Sequence, residues 1–411
     1  MSRLKGTCVI GQSGGPTATV NASVYGAIMA AFESEDITRV LAAEHGIVGI
    51  LNDQFFDLAQ EDKYELELLM NTPAAELGSC RYKLEKEEDY ARVLEVFRKH
   101  DVRYFFYIGG NDSMDTCAKV SEFIAANDYE CRIIGIPKTI DNDLFGTDHC
   151  PGYGSAAKYI ATSFMEVSKD THVYDVGAIT VIEVMGRNAG WLTGSAALAS
   201  KAGAGPDLIY LPEVDFDLER FFEDIDRIYR ERGGVLIAAS EGIHDAEGVL
   251  IAQYAARLEN AQKDVFGHIQ LGGLAAYLAH ELQIHTNAKV RGIELSLLQR
   301  CAAHVASKTD LDEAYMVGKI AVEAALAGGS GKMVSIERES AAGKYSARYV
   351  FVPLSEVANL ERKVPAEWIT PSLNGVTDEF IDYALPLIQG EPERVFEDSL
   401  PRYSRLRKVF V

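Results

Sequence analysis

Tyr104-Phe105-Phe106-Tyr107-Ile108-Gly109-Gly110-Asn111-Asp112-Ser113 is the stretch on which the architecture turns. Its first five residues are apolar or aromatic without alternation, which reads as a strand buried on both faces. Gly109-Gly110 closes the strand, and Met114 to Asn127 then runs with helical spacing. The same order recurs on either side. Upstream, Thr7 to Ile10 is an apolar run, Asn21 to Ser34 has helical spacing, and Arg39 to Ala43 is a second run. Downstream, Arg132 to Ile136 is stopped by Pro137, and Ala178 to Val184 and Val235 to Ala239 are further apolar runs. Strands of this kind alternating with helices predict an α/β protein with parallel-rich sheets covered on both faces. With 411 residues the chain is long enough for two to three domains of about 150 residues each.

Apolar residues make up 47% of the chain, enough for large cores. Lys plus Arg is 40 against 61 Asp plus Glu, a formal charge of -21. Such a surface repels a phosphate backbone, which argues against nucleic acid or an anionic membrane as the main partner. A small anionic substrate remains compatible, because a local arginine cluster can bind phosphate within an acidic protein. The 6 cysteines are scattered with no C-x-x-C pair, so neither a zinc site nor a disulfide framework is expected. Reduced thiols, the lack of a signal-peptide pattern in Met1 to Gly6, and the lack of a run of about 20 apolar residues predict a soluble cytoplasmic protein. Glu337 to Tyr349 is polar and reads as a hairpin or loop, and Glu391 to Val411 as a charged tail.

In open parallel sheets ligands sit outside the carboxyl ends of the strands. Gly11 to Gly15, Gly109 to Ser113, Pro137 to Asp143, Met185 to Arg187 and Glu241 all fall at such ends. Gly11-Gln12-Ser13-Gly14-Gly15-Pro16 lets backbone N–H groups approach a phosphate at a helix start, although an ordinary tight turn has the same look. It fits neither the P-loop nor the dinucleotide fingerprint. Gly109 to Ser113 could be an ordinary helix cap, but two adjacent glycines followed by three polar residues favour a binding loop. Pro137-Lys138-Thr139-Ile140-Asp141-Asn142-Asp143 is the densest group, with one cation and two carboxylates in seven residues. One carboxylate can accept a hydroxyl proton as its oxygen attacks phosphorus, a second can hold Mg²⁺, and the lysine can neutralise transferring charge. Arg81, Arg187, Arg291 and Arg300 are further candidate anion binders.

Taken in order, these segments resemble the 6-phosphofructokinase family. The resemblance rests on Ser13-Gly14-Gly15 with Asn21-Ala22, Gly78-Ser79-Cys80-Arg81, Gly109-Gly110, Thr139-Ile140-Asp141-Asn142-Asp143, Glu183-Val184-Met185-Gly186-Arg187, Glu241 and Gln299-Arg300. It implies that Asp141 is the base that takes the proton from the 1-hydroxyl of fructose 6-phosphate. It implies that Thr139, with Ile140, touches the transferred phosphate or the sugar. Met185, Gly186 and Arg187 would line the sugar-phosphate site, Glu241 would bind sugar hydroxyls, and Arg291 and Arg300 would hold the 6-phosphate. Arg81, Gly14, Gly15 and Ser113 would contact the phosphoryl donor. Asp143, Asn111 and Asp112 would organise Mg²⁺. Members that use ATP carry glycine where this chain has Asp112, and usually glycine where it has Lys138. Asp112 would obstruct the α-phosphate of ATP, and the Lys138 ammonium would compensate on a shorter donor. The pair therefore resembles the pyrophosphate-dependent branch, whose reaction is reversible.

The chain departs from the family pattern at several places. Asn111 stands at a metal-binding position where aspartate is usual. Gly267-His268-Ile269-Gln270-Leu271-Gly272-Gly273 imitates a family motif but has leucine where arginine is needed, so the match is placed at Leu297-Leu298-Gln299-Arg300. Leu297 then replaces a histidine, and Ala178 replaces an arginine that a neighbouring subunit contributes. Tyr25 and Met29 replace effector-binding arginines, which implies no ADP or phosphoenolpyruvate control.

The resemblance implies two doubly wound Rossmann-like domains with the active site in the cleft between them. The first is expected over residues 1–152 and about 300–348, the second over about 153–299 and 349–411. A homodimer or homotetramer is expected. The competing readings are an ATP-dependent 6-phosphofructokinase and a non-catalytic sugar-phosphate-binding subunit. What the 250–290 segment does is left open.

Overall fold

The computed structural model describes residues 4–173, 176–258, 273–341 and 344–411. In chain order its main strands are β1 (Gly6–Gln12), β2 (Ile37–Ala43), β3 (Phe55–Asp57), β4 (Val102–Gly109), β5 (Arg132–Pro137), β6 (Ala178–Val184), β7 (Leu208–Tyr210), β8 (Val235–Ser240), β9 (Lys289–Glu294), β10 (Lys332–Ala341) and β11 (Lys344–Pro353). The chain forms two compact units. The first is Met1–Ser155, Arg300–Glu361 and Ile388–Val411, and the second is Ala156–Gln299 and Arg362–Leu387. The α/β class with parallel-rich sheets is as the sequence predicts.

In the first unit the strand order is β11-β10-β5-β4-β1-β2-β3. The middle strands are parallel, while β11 and β3 close the two edges antiparallel to β10 and β2. The unbroken apolar runs follow from two cores. Cys8, Ile10, Tyr104 and Phe106 face one, with Val24 and Ala27 of the Val20–Phe32 helix and Val317 and Ala321 of the Lys308–Leu326 helix. Val9, Phe105 and Tyr107 face the other, with Val93 and Phe97 of the Glu87–Lys99 helix and Met114 and Cys117 of the Asn111–Ala126 helix. A strand that must be apolar on both faces cannot alternate. On the first face two helices touch through glycine: a Cβ on Gly26 would stand 2.0 Å from the carbonyl oxygen of Tyr315.

The second unit carries the order β7-β8-β6-β9, all parallel. Its core packs Ile179, Val181 and Ile237 of the sheet against Phe221 and Ile225 of the Leu218–Arg232 helix and Leu278 and Leu282 of the Leu274–His285 helix. The first of these helices starts on Asp217, whose carboxylate accepts from the Arg220 N–H at 2.7 Å, and stops at Gly233 in left-handed backbone. The 362–387 stretch belongs here because Trp368, Phe380 and Tyr383 surround Trp191, with ring centroids 6.0, 5.9 and 5.2 Å away.

The tail differs from the expectation. Residues 349–361 and 388–411 belong to the first unit rather than to the second. The backbone N–H groups of Arg407 and Lys408 both donate to the Glu61 carboxylate, at 2.7 and 2.8 Å, and that of Arg405 donates to Glu65 at 2.6 Å. Phe410 meets Phe56 edge to face at 6.1 Å. The polar stretch at 337–349 forms the β10–β11 hairpin. Within the 250–290 segment, Leu274, Leu278 and Leu282 are core residues. Among the described residues no helix is long and apolar enough to cross a membrane.

Candidate active site

In the first unit β1 leads to β2 on one side while β4 lies on its other side. The connections therefore part at the carboxyl ends of β1 and β4, which is where α/β sheets bind ligands. Three of the predicted segments meet there. The Ser13 N–H donates to Ile108 at 2.9 Å, the Lys138 N–H donates to Gly109 at 3.0 Å, and the Lys138 ammonium donates to the Gly15 carbonyl at 2.7 Å. The Gly14 N–H donates to Cys80 at 3.1 Å and the Ser79 hydroxyl to Gly14 at 2.7 Å, which carries exposed Arg81 to the same turn. The Arg300 guanidinium lies 3.1 Å from where a Cβ on Gly15 would stand.

Lys138 is only 3% exposed. Burial brings its ammonium down to about 8; Asp141 and Asp143 pull it back up, while Arg300 and Arg81 push it lower. Three cations at a glycine turn, one of them desolvated, make a place that an anion would complete.

The loop after β5 is held rigidly. Asn142 adopts left-handed backbone, φ 56°, and its side-chain oxygen accepts from the Cys150 N–H at 2.9 Å. Thr139 donates its N–H to Pro151 at 3.3 Å, and its hydroxyl accepts from the Asp141 N–H at 3.1 Å. Ile140 is buried beneath the loop. Burial pushes the Asp143 carboxyl up to about 7, with the Asp141 charge adding and the Thr139 hydroxyl opposing. In the same unit, the Asn111 side-chain oxygen is buried without a hydrogen-bond partner. Asp112 is exposed on the first turn of its helix, and Ser113 is buried behind it. Among the described residues no group of three or more His, Cys, Asp or Glu could hold a metal. Mg²⁺ in phosphoryl-transfer sites commonly takes one or two protein ligands, the rest being water and phosphate. The Asp143 carboxylate and the orphaned amide oxygen of Asn111 are hard oxygen donors of the kind that requirement calls for.

The second unit presents its own group at the ends of β6 and β8. The Gly186 N–H donates to the Glu241 carboxylate at 3.3 Å, and the Ser240 hydroxyl donates to the Gly186 carbonyl at 2.6 Å. Gly186 has φ 123°, and a Cβ there would stand 2.6 Å from the Ala189 carbonyl oxygen, so only glycine fits. The Met185 N–H donates to Gln299 at 3.2 Å, and Arg187 is half-buried just beyond. Arg291 lies on β9, opposite Thr180, and pairs with Asp170.

The Phosphofructokinase family model matches residues 7–293. The chain belongs to the phosphofructokinase family. A protein of Halomonas elongata named pyrophosphate–fructose 6-phosphate 1-phosphotransferase is 42% identical over 405 residues, covering 97% of this chain and 95% of the relative. One of the same name from Methylococcus capsulatus is 43% identical, over 97% and 96%. A crystal structure of the pyrophosphate-dependent phosphofructokinase of Marinobacter aquaeolei superposes with a TM-score of 0.89 at 40% identity, covering 99% of this chain and 97% of that one.

Several family positions have particular settings in this member. The resemblance assigned Arg291 and Arg300 to one phosphate. Arg300 belongs to the first unit and stands at Gly15, whereas Arg291 belongs to the second and faces Asp170. Leu297 is exposed, and Ala178 is buried at the start of β6. Tyr25 packs on Tyr315, ring centroids 5.7 Å apart. Residues 267–272 of the imitation motif lie outside the described residues. Sequence reasoning passed over the buried side chains of Gln12 and His149. A glutamine ending an apolar strand was the available signal for the first; nothing local marks the second.

Proposed function

We propose that this chain is a pyrophosphate-dependent 6-phosphofructokinase. It transfers a phosphoryl group reversibly from pyrophosphate to the 1-hydroxyl of fructose 6-phosphate, giving fructose 1,6-bisphosphate and phosphate in glycolysis and gluconeogenesis. The observation that carries this reading is the buried Lys138 ammonium on the Gly15 carbonyl, beside Arg300 and followed by two carboxylates on one loop. The relatives' names support the donor.

The first unit is read as the donor domain. Gly14, Gly15, Arg81, Ser113 and Lys138 hold pyrophosphate, and Asp112 obstructs the longer phosphate chain of ATP. Lys138 neutralises the transferring group, a contribution that a desolvated setting strengthens. Asp141 accepts the proton of the 1-hydroxyl, and Thr139 and Ile140 orient that oxygen. Asp143 with Asn111 and Asp112 would hold Mg²⁺. When bound, Mg²⁺ supplies charge neutralisation on the donor phosphates. The second unit is read as the sugar-phosphate domain: Met185, Gly186 and Arg187 line it, Glu241 binds sugar hydroxyls, and Arg291 with Arg300 meets the 6-phosphate. A cytoplasmic homodimer or homotetramer without ADP or phosphoenolpyruvate control completes the reading. Tyr25 and Met29 support the last point, since neither can pair with an anionic effector.

A coupled assay with fructose 6-phosphate and Mg²⁺, comparing pyrophosphate with ATP, tests it. Turnover with pyrophosphate and little with ATP is expected. Activity with ATP alone would return the chain to the ATP-dependent class, and none with either would favour a binding subunit.

A further inference from the structure

Gln12 and Asn21 are fully buried, and each is neutral, polar and satisfied on both ends. Gln12 closes β1 and Asn21 opens the following helix. The Gln12 side-chain oxygen accepts from the Leu77 N–H at 3.0 Å, and its side-chain amide donates to the Asn21 side-chain oxygen at 2.9 Å. That oxygen also accepts from the Glu76 N–H at 2.9 Å, while the Asn21 amide donates to the carbonyls of Thr72 at 2.9 Å and Ala74 at 3.1 Å. The backbone partners fix the orientation of both amides. All of them belong to residues 72–77, a stretch with no helix or strand whose polar groups have no ladder to join. From there the chain is pressed on His45, whose N–H donates to Leu77 at 3.0 Å, and it delivers Ser79 and Cys80 onto Gly14.

We propose that Gln12 and Asn21 are positioning residues for the phosphoryl donor: they lock residues 72–77 so that Ser79 to Arg81 close on the Gly14 turn. The inference rests on the reading of that turn as the donor site. Two neutral amides suit the task because they satisfy donors and acceptors alike and leave the charge balance of an anion site unchanged. An irregular segment fixed only by its own turns would let Arg81 wander. Displacing a binding group by about 1 Å can cost up to about a hundredfold. A merely structural role would lower stability and leave the two substrates equally affected. A positioning role separates them.

The test uses the full chain and three variants, Gln12→Leu, Asn21→Leu and Ser79→Ala. The last leaves both amides in place and removes only the link to Gly14, so it stays informative if a core variant fails to fold. Steady-state kinetics are expected to show KM for pyrophosphate raised about tenfold or more, with KM for fructose 6-phosphate within about twofold. Gln12→Leu combined with Arg81→Ala is expected to weaken pyrophosphate no further than Arg81→Ala alone. Hydrogen exchange is expected to quicken at residues 76–81 in Gln12→Leu. Equal rises in both KM values, or a lower Tm with neither KM changed, overturns the proposal. Wild-type protein that used ATP and not pyrophosphate would sink the donor reading instead. The same variants would then be read with ATP, where a selective rise in its KM supports the lock and an unselective one overturns it.

Discussion

Asp112 stands exposed on the first turn of the Asn111–Ala126 helix, where a carboxylate complements the helix dipole and no packing depends on the side chain. Asp112→Gly is therefore expected to fold and to gain turnover with ATP relative to pyrophosphate. The ratio of kcat/KM values for the two donors checks this. His149 illustrates the opposite case, a charge held deep inside. It lies 2.8 Å from Asp148 and 2.6 Å from Glu313, and Tyr345 reaches the same Glu313 carboxylate. Burial alone would lower its imidazolium, but Glu313 and Asp148 outweigh burial and raise it to about 9. The folded value lies above the ordinary one of 6.5. The stabilisation is therefore complete below that ordinary value and is lost as pH rises through about 9. It amounts to about 3 kcal/mol on the linkage relation. Unfolding free energies between pH 6 and 9.5 should fall more steeply in wild type than in His149→Gln. The Pro137 to Asp143 cluster was legible because its chemistry is contiguous in the chain. The His149 group was not: Glu313 is 164 residues away in sequence, and no local pattern announces such a partner.

Elements were legible where burial on two faces left an unbroken apolar run, as in β1, β4, β5, β6 and β8. β9 escaped notice because it is an edge strand, half exposed, and its Lys-Val-Arg-Gly-Ile-Glu sequence shows no run. β7 has 3 residues, too few for a pattern. The pair of helices Val20–Phe32 and Lys308–Leu326 carries a feature that spacing alone conceals. Gly26 and Gly318 each face the other helix's backbone, with a Cβ on either standing 2.0 Å from a carbonyl oxygen. Backbone cannot yield as a side-chain tip can, so Gly26→Ala must push the helices apart. A loss at or above the upper end of the usual overpacking range of about 1–3 kcal/mol is expected, read from chemical denaturation. Alanine's better helix propensity recovers under about 1 kcal/mol of that.

The whole molecule is threaded so that neither unit is a single piece of chain. Trp191 needs Trp368, Phe380 and Tyr383 from the later stretch. A fragment of residues 156–299 is therefore expected to lack fixed near-ultraviolet circular dichroism, and joining residues 362–387 to it through a flexible linker should restore the signal. Failure of the joined form to fold would contradict the division into units. The interleaving was legible in outline from the family likeness. The return of the tail was not, because backbone N–H groups bonding to Glu61 and Glu65 leave no trace in side-chain pattern.

That threading also sets an order of events on the ribosome. Residues 362–387 emerge before 388–411, so the second unit has all its parts while the first still lacks one. The unit that begins the chain is the one completed later. β1, β4 and β5 are made early, yet one of their two cores takes Val317, Ala321 and Val334 from chain synthesised much later. At about 5–20 residues per second, the intervening stretch takes on the order of ten seconds or more to translate. Through that interval a nascent sheet stands with one apolar face only partly covered, by the Val20–Phe32 helix and without the Lys308–Leu326 helix, and its yield in the cell is expected to depend on chaperones that shield such faces.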